Sequence, residues 1–253
     1  MSKCLIEINS WMSENFLKLN ADKSVVKLFK HKASKISNCN IMQITSSDCI
    51  KVLGTFISDC FKFKDFVRKK VQTCNFHLRN LYNIRESLTT NTRILLVTNL
   101  ILSTIDYCNI LLLNATEKDL KPLRLVINKS LRFIYNLDYR SHISPYYRKA
   151  HFLPIRSRIT FKACLIAFKI FYNQGPHYFN EDFTVFTPTS NMLLREGFGR
   201  DTYMFEMNQR DANSKRLSVS IKYVWNSLPL QLRKCASIQT FKCKLKTFLF
   251  PQD

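Results

Sequence analysis

Glycine is scarce in this chain of 253 residues, which contains only 4 glycines. Proteins built mainly from β-strands need many tight turns, and glycine adopts the positive φ angles of such turns most readily. The low glycine content therefore favours helices. Hydrophobic residues make up 46% of the chain, which is enough for a folded core, and the length allows one domain or two small ones.

Motifs of several enzyme classes are also absent. The sequence contains no glycine-rich phosphate loop and no Gly-x-Ser-x-Gly. Polymerase chemistry needs two metal ions held by carboxylates. The only adjacent acidic pair is Glu181 and Asp182, which we expect to be solvated in a loop. We therefore expect no catalytic carboxylates and no bound metal or other cofactor.

Membrane and secretion signals are missing as well. No signal-peptide core is visible, and the most apolar run, residues 94–113, holds too many polar residues to span a bilayer. The 9 cysteines are odd in number and irregularly spaced, which is typical of a reducing compartment. Cys74 and His77 have the spacing of two zinc ligands, but no second pair matches them. We expect an intracellular protein, cytoplasmic or nuclear, that is not secreted.

Positive charge is abundant, with 39 Lys and Arg against 18 Asp and Glu, a formal net charge of +21. Such an excess is typical of proteins with a polyanionic partner, although a solvated basic surface is the alternative. The basic residues are spread over the whole chain rather than placed beside an apolar segment, which favours nucleic acid over a membrane. We expect RNA and DNA as partners, with little sequence preference, and no small-molecule substrate.

The hydrophobic pattern predicts an α+β, mostly α fold with a small N-terminal sheet. Residues 1–19 have helical spacing, whereas residues 25–30 and 49–58 are typical of strands. Gly54 interrupts the second strand, where a bulge or a close backbone approach is expected. The basic, polar residues 31–40 are predicted to form an exposed loop.

From residue 61 onward the pattern is helical, apart from a loop at residues 180–215 with a short strand at 202–207. The predicted helices are 61–88, a helix that begins at Thr89 or Thr90 with an apolar stripe reaching Leu112, 119–137, 144–151, 155–173, 217–227 and 237–249. Pro122 is expected in the first turn of its helix, where a missing N–H costs little. Helix 155–173 is apolar on most sides and is expected at the centre of the core.

Three groups of basic residues fall on predicted helices and are candidate nucleic-acid contacts. They are Lys62, Lys64, Arg68, Lys69 and Lys70; Lys121, Lys129 and Arg132; and Arg158, Lys162 and Lys169. At 100° per residue, the second group lies within about 80° on one helix face. Ordinary polar helix faces are the alternative, but the shortage of interleaved acids favours contact with a phosphate backbone.

Short blocks of sequence along nearly the whole chain carry a family resemblance. The blocks are Leu19-Asn20-Ala21-Asp22-Lys23, Leu53-Gly54, His77-Leu-Arg-Asn80, Ser103-Thr-Ile-Asp106-Tyr107-Cys108-Asn109, His142-Ile-Ser-Pro145, His151-Phe-Leu-Pro154-Ile-Arg156 and Trp225-Asn226-Ser227-Leu228-Pro229. In this order they resemble the reverse transcriptases of LINE-type (jockey-like) non-LTR retrotransposons. The chain departs from the family pattern at Phe152, where Trp is common, and at Thr55, where Val is usual.

The resemblance implies a domain organisation. Residues 1–60 would be the end of the palm, 61–179 a helical thumb-like domain, 180–215 a loop or linker, and 216–253 a C-terminal helical segment. Lys23 would be a remnant general acid near the incoming triphosphate, although a turn lysine without a partner is the simpler interpretation. Leu53 and Gly54 would belong to a primer-grip-like strand. Mg²⁺ is implied only for a full-length relative, because the catalytic aspartate pair does not occur in this sequence.

Three functions remain open from the sequence. The chain is expected to be the C-terminal fragment of an RNA-directed DNA polymerase, inactive alone but able to bind template and primer. Alternatively, it is a free-standing basic helical domain that binds nucleic acid, or a relic open reading frame without function.

Overall fold

A computed structural model describes residues 2–18, 20, 24–25, 49–52, 54–58, 63–179, 181–186, 203–207 and 216–250. The described residues are mostly helical, with two short strands. The predicted α+β, mostly α class is therefore confirmed. The chain divides into two compact units, Met1–Phe66 and Val67–Asp253, so residues 67–179 of the predicted thumb-like domain share one unit with the predicted C-terminal segment.

In its described residues, the N-terminal unit contains one helix, one β-hairpin and the first residues of the next helix. Helix α1 spans Ser2–Glu14 and ends before the predicted residue 19, because Phe16 adopts a left-handed conformation with φ 59°. Strands β1 (Cys49–Val52) and β2 (Thr55–Ser58) pair antiparallel. Of the predicted strand 25–30 only Val25 is described, and the predicted loop 31–40 lies outside the described residues.

Gly54 is part of a hairpin turn between two strands, so the prediction of one strand at residues 49–58 was wrong. Val52 pairs with Thr55 and Lys51 with Phe56, so the connection is two residues long and contains Gly54. The φ angle of Gly54 is 80°, a conformation that glycine adopts without the clash a Cβ atom would cause.

The helical unit begins within helix α2, Phe63–Asn83, which buries Val67, Cys74, Leu78 and Leu81. A short 3₁₀ helix, Arg85–Ser87, leads to α3 (Thr90–Leu96), which continues through a π-helical segment, Val97–Leu102, into α4 (Ser103–Asp106). The Thr89 side chain caps α3 by accepting a hydrogen bond from the Thr92 N–H at 3.2 Å, as expected for this residue type.

The helix from Thr90 ends at Asp106, earlier than its apolar stripe predicts. Cys108 adopts a left-handed conformation with φ 53°, and a 3₁₀ helix, Asn109–Leu112, follows it. Lys70 Nζ donates to the carbonyl oxygens of Thr104 and Tyr107, at 2.6 Å each. The buried Lys70 ammonium group thus donates to two carbonyl oxygens that would have accepted hydrogen bonds from backbone N–H groups if the helix had continued.

Helix α5 spans Glu117–Tyr135, and its predicted apolar stripe is fully buried: Leu120, Leu123, Ile127, Leu131 and Ile134. Thr116 and Asp119 form a reciprocal capping box at its start. Because the helix begins at Glu117, Pro122 lies in the second turn, and the prediction that it occupies the first turn was wrong.

The remaining helical segments follow α5 in chain order. They are α6 (Ser144–Lys149), α7 (Ile155–Phe171), a 3₁₀ helix at His177–Phe179, α8 (Leu217–Asn226), α9 (Leu230–Arg233) and α10 (Ile238–Leu249). Helix α7 contacts α5, α8 and α10, as its mostly apolar sequence predicts. Among the described helices, none combines the length and the apolar character needed to cross a bilayer.

An aromatic cluster fills the core between α7, α8 and α10. Trp225 is fully buried, with the rings of Phe171 and Phe241 at centroid distances of 5.3 and 5.9 Å. Within the predicted loop 180–215, Phe183 and Phe205 also pack here, next to an isolated β-bridge between Val185 and Phe205. The described parts of that segment are therefore anchored to the core.

Candidate nucleic-acid interface

A groove of about 650 Å³ lies between α2 and α5 in the helical unit. Its lining residues are Asn75, Leu78, Arg79, Tyr82, Arg85, Lys129, Arg132, Leu137 and Tyr139. Four of the nine are cationic and none is acidic. The nearest acids in the sequence, Glu86 and Asp138, do not line the groove. Lys129 and Arg132 were predicted contacts, and this is the surface where the structure brings them together with other cations.

Helical periodicity explains how α2 supplies its share of the groove. Asn75, Arg79 and Tyr82 are spaced by four and three residues, so they share one face. Leu78 is buried but also lines the groove, whereas Leu81 lies on the core side of the same helix. The polar face of α2 therefore faces the groove while its apolar face remains in the core.

Arg85 and Arg93 fix the C-terminal end of α5. Arg85 Nε donates to the Phe133 carbonyl at 3.1 Å and its Nη2 to the Arg132 carbonyl at 3.3 Å. Arg93 Nη1 donates to the Ile134 carbonyl at 3.1 Å. The Arg132 carbonyl also accepts a hydrogen bond from the Leu137 N–H at 3.2 Å. The last carbonyls of a helix carry partial negative charge, so two guanidinium groups stabilise this end. Arg85 therefore combines a structural role with a place in the groove.

Arg132 orders the loop that follows α5. Its Nη2 donates to the Tyr139 carbonyl at 2.9 Å and its Nε to the Asp138 carbonyl at 3.4 Å, and its guanidinium lies 5.4 Å from the centroid of the Tyr139 ring. Replacing Arg132 would therefore disturb this loop as well as remove a charge. It is a poor choice for testing charge alone.

Arg79 and Lys129 are the groove cations that are not engaged within the described part of the protein. Both side chains are exposed, and neither has a hydrogen-bond or ion-pair partner among the described residues. A solvated cation that gives up no internal contact on binding is suited to a phosphate oxygen. These two residues are the strongest candidates for direct contact.

The exposed face of α5 extends the cationic surface beyond the groove. Lys118, Lys121 and Arg124 are exposed along it. The two acids of this helix lie in its first turn and are both engaged. Glu117 pairs with Arg156 at 2.9 Å. Hydrogen bonds from the Thr116 side chain and backbone lower the pKa of Asp119. After the first turn of α5, the helix face that carries the predicted contact Lys121 has no acidic side chain from this helix.

A smaller pocket of about 300 Å³ lies on the same helix and is lined by Arg124, Asn128, Tyr147 and Arg148, among others. The Tyr147 hydroxyl donates to Asn128 Oδ1 at 2.7 Å, and burial raises the pKa of Tyr147 to about 12. This hydroxyl is therefore neutral at physiological pH. The pocket adds the Arg124 guanidinium of α5 and the Arg148 guanidinium of α6 to the cationic surface.

The first predicted group of basic residues does not act as one cluster. Lys64 and Arg68 are exposed and Lys69 is partly exposed, but Lys70 is buried and held by the two carbonyls at the end of α4. Burial lowers the pKa of Lys70. The expectation that Lys70 contacts nucleic acid was therefore wrong, because its ammonium group is directed into the protein. Lys62 lies outside the described residues.

The third predicted group is divided in the same way. Arg158 forms a two-pronged ion pair with Asp106, with Nε 2.9 Å from Oδ1 and a second contact between Nη2 and Oδ2. Its charge is compensated by Asp106, so Arg158 is a weaker candidate for a phosphate contact than an exposed, unpaired cation would be. Lys162 and Lys169 are exposed, and Lys162 lines a pocket of about 230 Å³ together with Lys246.

The other predicted positions are not among the residues that line the groove. Gly54 is in the β-hairpin turn, whereas Leu53 and Lys23 lie outside the described residues. Cys74 is fully buried with Sγ 3.8 Å from the Ile101 carbonyl, and burial raises its pKa to about 11. It packs as an apolar core residue. Within the described ranges, no three His, Cys, Asp or Glu side chains converge on one point as metal ligands do.

Sequence reasoning missed Arg79, Arg85, Tyr82 and Tyr139. Helical spacing indicates Arg79 and Tyr82 weakly, because they share the polar face of α2 with Asn75. Arg85 follows the end of the same helix. No sequence signal indicates Tyr139, since it lies in a loop whose position depends on Arg132. Comparison with known proteins adds no relative: no protein family, curated protein or solved structure matches the chain.

Proposed function

We propose that this chain binds RNA and DNA, without catalysis and with little sequence preference, through the groove between α2 and α5. One observation carries the proposal: four cations and no carboxylate line the groove. Exposed cations contribute binding energy with a phosphate backbone whatever the base sequence. The formal net charge of +21 adds a long-range attraction for polyanions.

The spacing of the cations on α5 supports contact with an extended strand. At 1.5 Å per residue, Lys121 and Lys129 are separated by about 12 Å along the helix axis, with Arg124 between them. Such a row is long enough to contact more than one phosphate of a strand. The pocket that contains Arg124 and Arg148 continues the same surface.

We further propose that the chain is the C-terminal part of a LINE-type reverse transcriptase. The ordered sequence blocks support this, and template and primer would be the natural ligands of the cationic groove. Genomic sequence tests the family assignment independently of binding. An in-frame Phe/Tyr-Ala-Asp-Asp run upstream of the present chain is the expected result, and stop codons in every upstream frame would contradict it.

A free-standing nucleic-acid-binding domain is the second candidate. It is favoured by one observation, that Val67–Asp253 forms a compact unit with its own core. This candidate predicts the same groove and the same ligands, but it does not predict the upstream polymerase sequence.

Binding of the full chain to labelled oligonucleotides at several salt concentrations tests the proposed function. Affinity for single strands and duplexes should fall steeply as salt rises, because bound phosphates release condensed counterions. Affinity should depend only weakly on base sequence. An affinity that does not change between 50 and 200 mM salt would refute electrostatic binding.

A further inference from the structure

We infer that the groove between α2 and α5 selects unpaired strands, by stacking a base on Tyr139 and a neighbouring base on Tyr82. The inference rests on the proposed function and deepens it, because it names the kind of nucleic acid that the site prefers. It comes from the two aromatic rings that line the groove beside the cations.

Tyr139 has the geometry of a stacking platform. Its side chain is 86% exposed, so its ring contributes little to the core. The residue is nevertheless held in place, because Arg132 binds its carbonyl oxygen at 2.9 Å and lies 5.4 Å from the ring centroid. An exposed but positioned aromatic ring loses little conformational freedom when a planar ligand stacks on it.

Tyr82, on α2, offers a second ring that lines the groove. It is 43% exposed and packs edge-on against Phe133, with centroids 5.2 Å apart and an interplanar angle of 71°. The Arg85 guanidinium lies 5.6 Å from the Tyr82 centroid. Each tyrosine is therefore supported by an arginine that is itself bound to backbone carbonyls.

The arrangement of rings and cations explains why an unpaired strand is preferred. Every base has a π-face, so stacking on tyrosine is insensitive to sequence, and the adjacent Arg79 and Lys129 can contact the flanking phosphates. In a duplex the bases are already stacked on each other. The tyrosines then add nothing, and only the cations contribute to binding.

An acidic peptide would satisfy the cations but would not need two positioned aromatic rings. The rings therefore favour nucleic acid as the occupant. Competition by poly-glutamate distinguishes these two ligands, and it is one arm of the experiment.

The test measures binding of the full chain to three probes of equal length: a 12-nucleotide single-stranded DNA, the matching abasic 12-mer and a 12-base-pair duplex. The variant Tyr139→Leu removes the π-face but keeps an apolar side chain, and Tyr139→Phe is the matched control that retains the ring. Lys129→Gln reports on the cations alone.

Tyr139→Leu should weaken binding to the single strand about tenfold and leave the duplex and the abasic strand unchanged. Tyr139→Phe should bind all three probes like the unmodified chain, and Lys129→Gln should weaken all three. Poly-glutamate should compete much less well than the single strand.

Equal effects of Tyr139→Leu on all three probes, or no effect on any probe, would overturn the stacking inference. If binding remained salt-dependent, the proposed function would be retained. Full competition by poly-glutamate would also overturn it. A chain that bound none of the probes at low salt would refute the proposed function together with the inference.

Discussion

Removing the two uncommitted cations of the groove, in the double variant Arg79→Gln and Lys129→Gln, should flatten the salt dependence of binding. Each cation lies on the groove wall, and neither has a hydrogen-bond or ion-pair partner among the described residues. Their loss should therefore leave the fold intact and change only the contacts with phosphate.

The expected magnitude follows from counting the charges that line the groove. Each phosphate neutralised on a single strand contributes about 0.7 to the slope of log affinity against log salt. If all four lining cations bind phosphates, the slope is about −2.8, and affinity falls about fiftyfold between 50 and 200 mM salt. The double variant retains two cations, so its slope should be about −1.4 and its loss about sevenfold.

Fluorescence anisotropy with a labelled 12-nucleotide strand measures these slopes. A matched control is the double variant Lys3→Gln and Lys244→Gln, which removes the same total charge from exposed positions on α1 and α10. The control should retain the original slope. Equal slopes for the two double variants would show that net charge, rather than the groove, determines binding, and would refute the reasoning.

Three further results are expected. Asp106→Asn should lower the free energy of unfolding in urea by about 1–3 kcal/mol, because it leaves Arg158 unpaired where the Asp106 and Arg158 side chains are only 24% and 15% exposed. Glu117→Gln breaks a more exposed ion pair and should cost less than about 1 kcal/mol. Equal costs for the two variants would contradict this account. The pKa of Lys70 is lowered in the folded state, so the unfolded chain holds this proton more tightly than the folded chain does. The stability of the unmodified chain relative to the Lys70→Met variant should therefore rise with pH up to about 10.4, the ordinary lysine pKa. A stability difference that does not change with pH would show that Lys70 is not desolvated. The purified chain should extend no primer on a poly(rA) template with Mg²⁺ or Mn²⁺, and template-dependent incorporation would contradict the non-catalytic proposal.

The helical part of the fold was predictable because its signal is local. The stripe from Leu120 to Ile134 has the spacing of one helix face, and burial follows directly from it. The Thr89 cap was predictable for the same reason. The hairpin at Gly54 was not, because a bulge and a two-residue turn both call for glycine in a run of strand-forming residues.

The groove could be predicted only in part, because it depends on contacts between distant residues. Lys129 and Arg132 follow from the periodicity of α5, but their proximity to Arg79 arises when α2 and α5 pack together. Arg158 meets an acid 52 residues away, and Lys70 meets carbonyls 34 and 37 residues away. Helical spacing cannot distinguish a lysine that binds backbone from one that faces solvent.

Photocrosslinking tests the central claim, that the groove between α2 and α5 is the nucleic-acid site, most directly. A 12-nucleotide RNA containing 4-thiouridine would be irradiated with the full chain, and the crosslinked residues identified by mass spectrometry. Crosslinks should map to residues 75–85 and 129–139, with Tyr82 and Tyr139 prominent, and should be lost at high salt. Crosslinks confined to α7 and α10, around Lys162 and Lys246, would contradict the account.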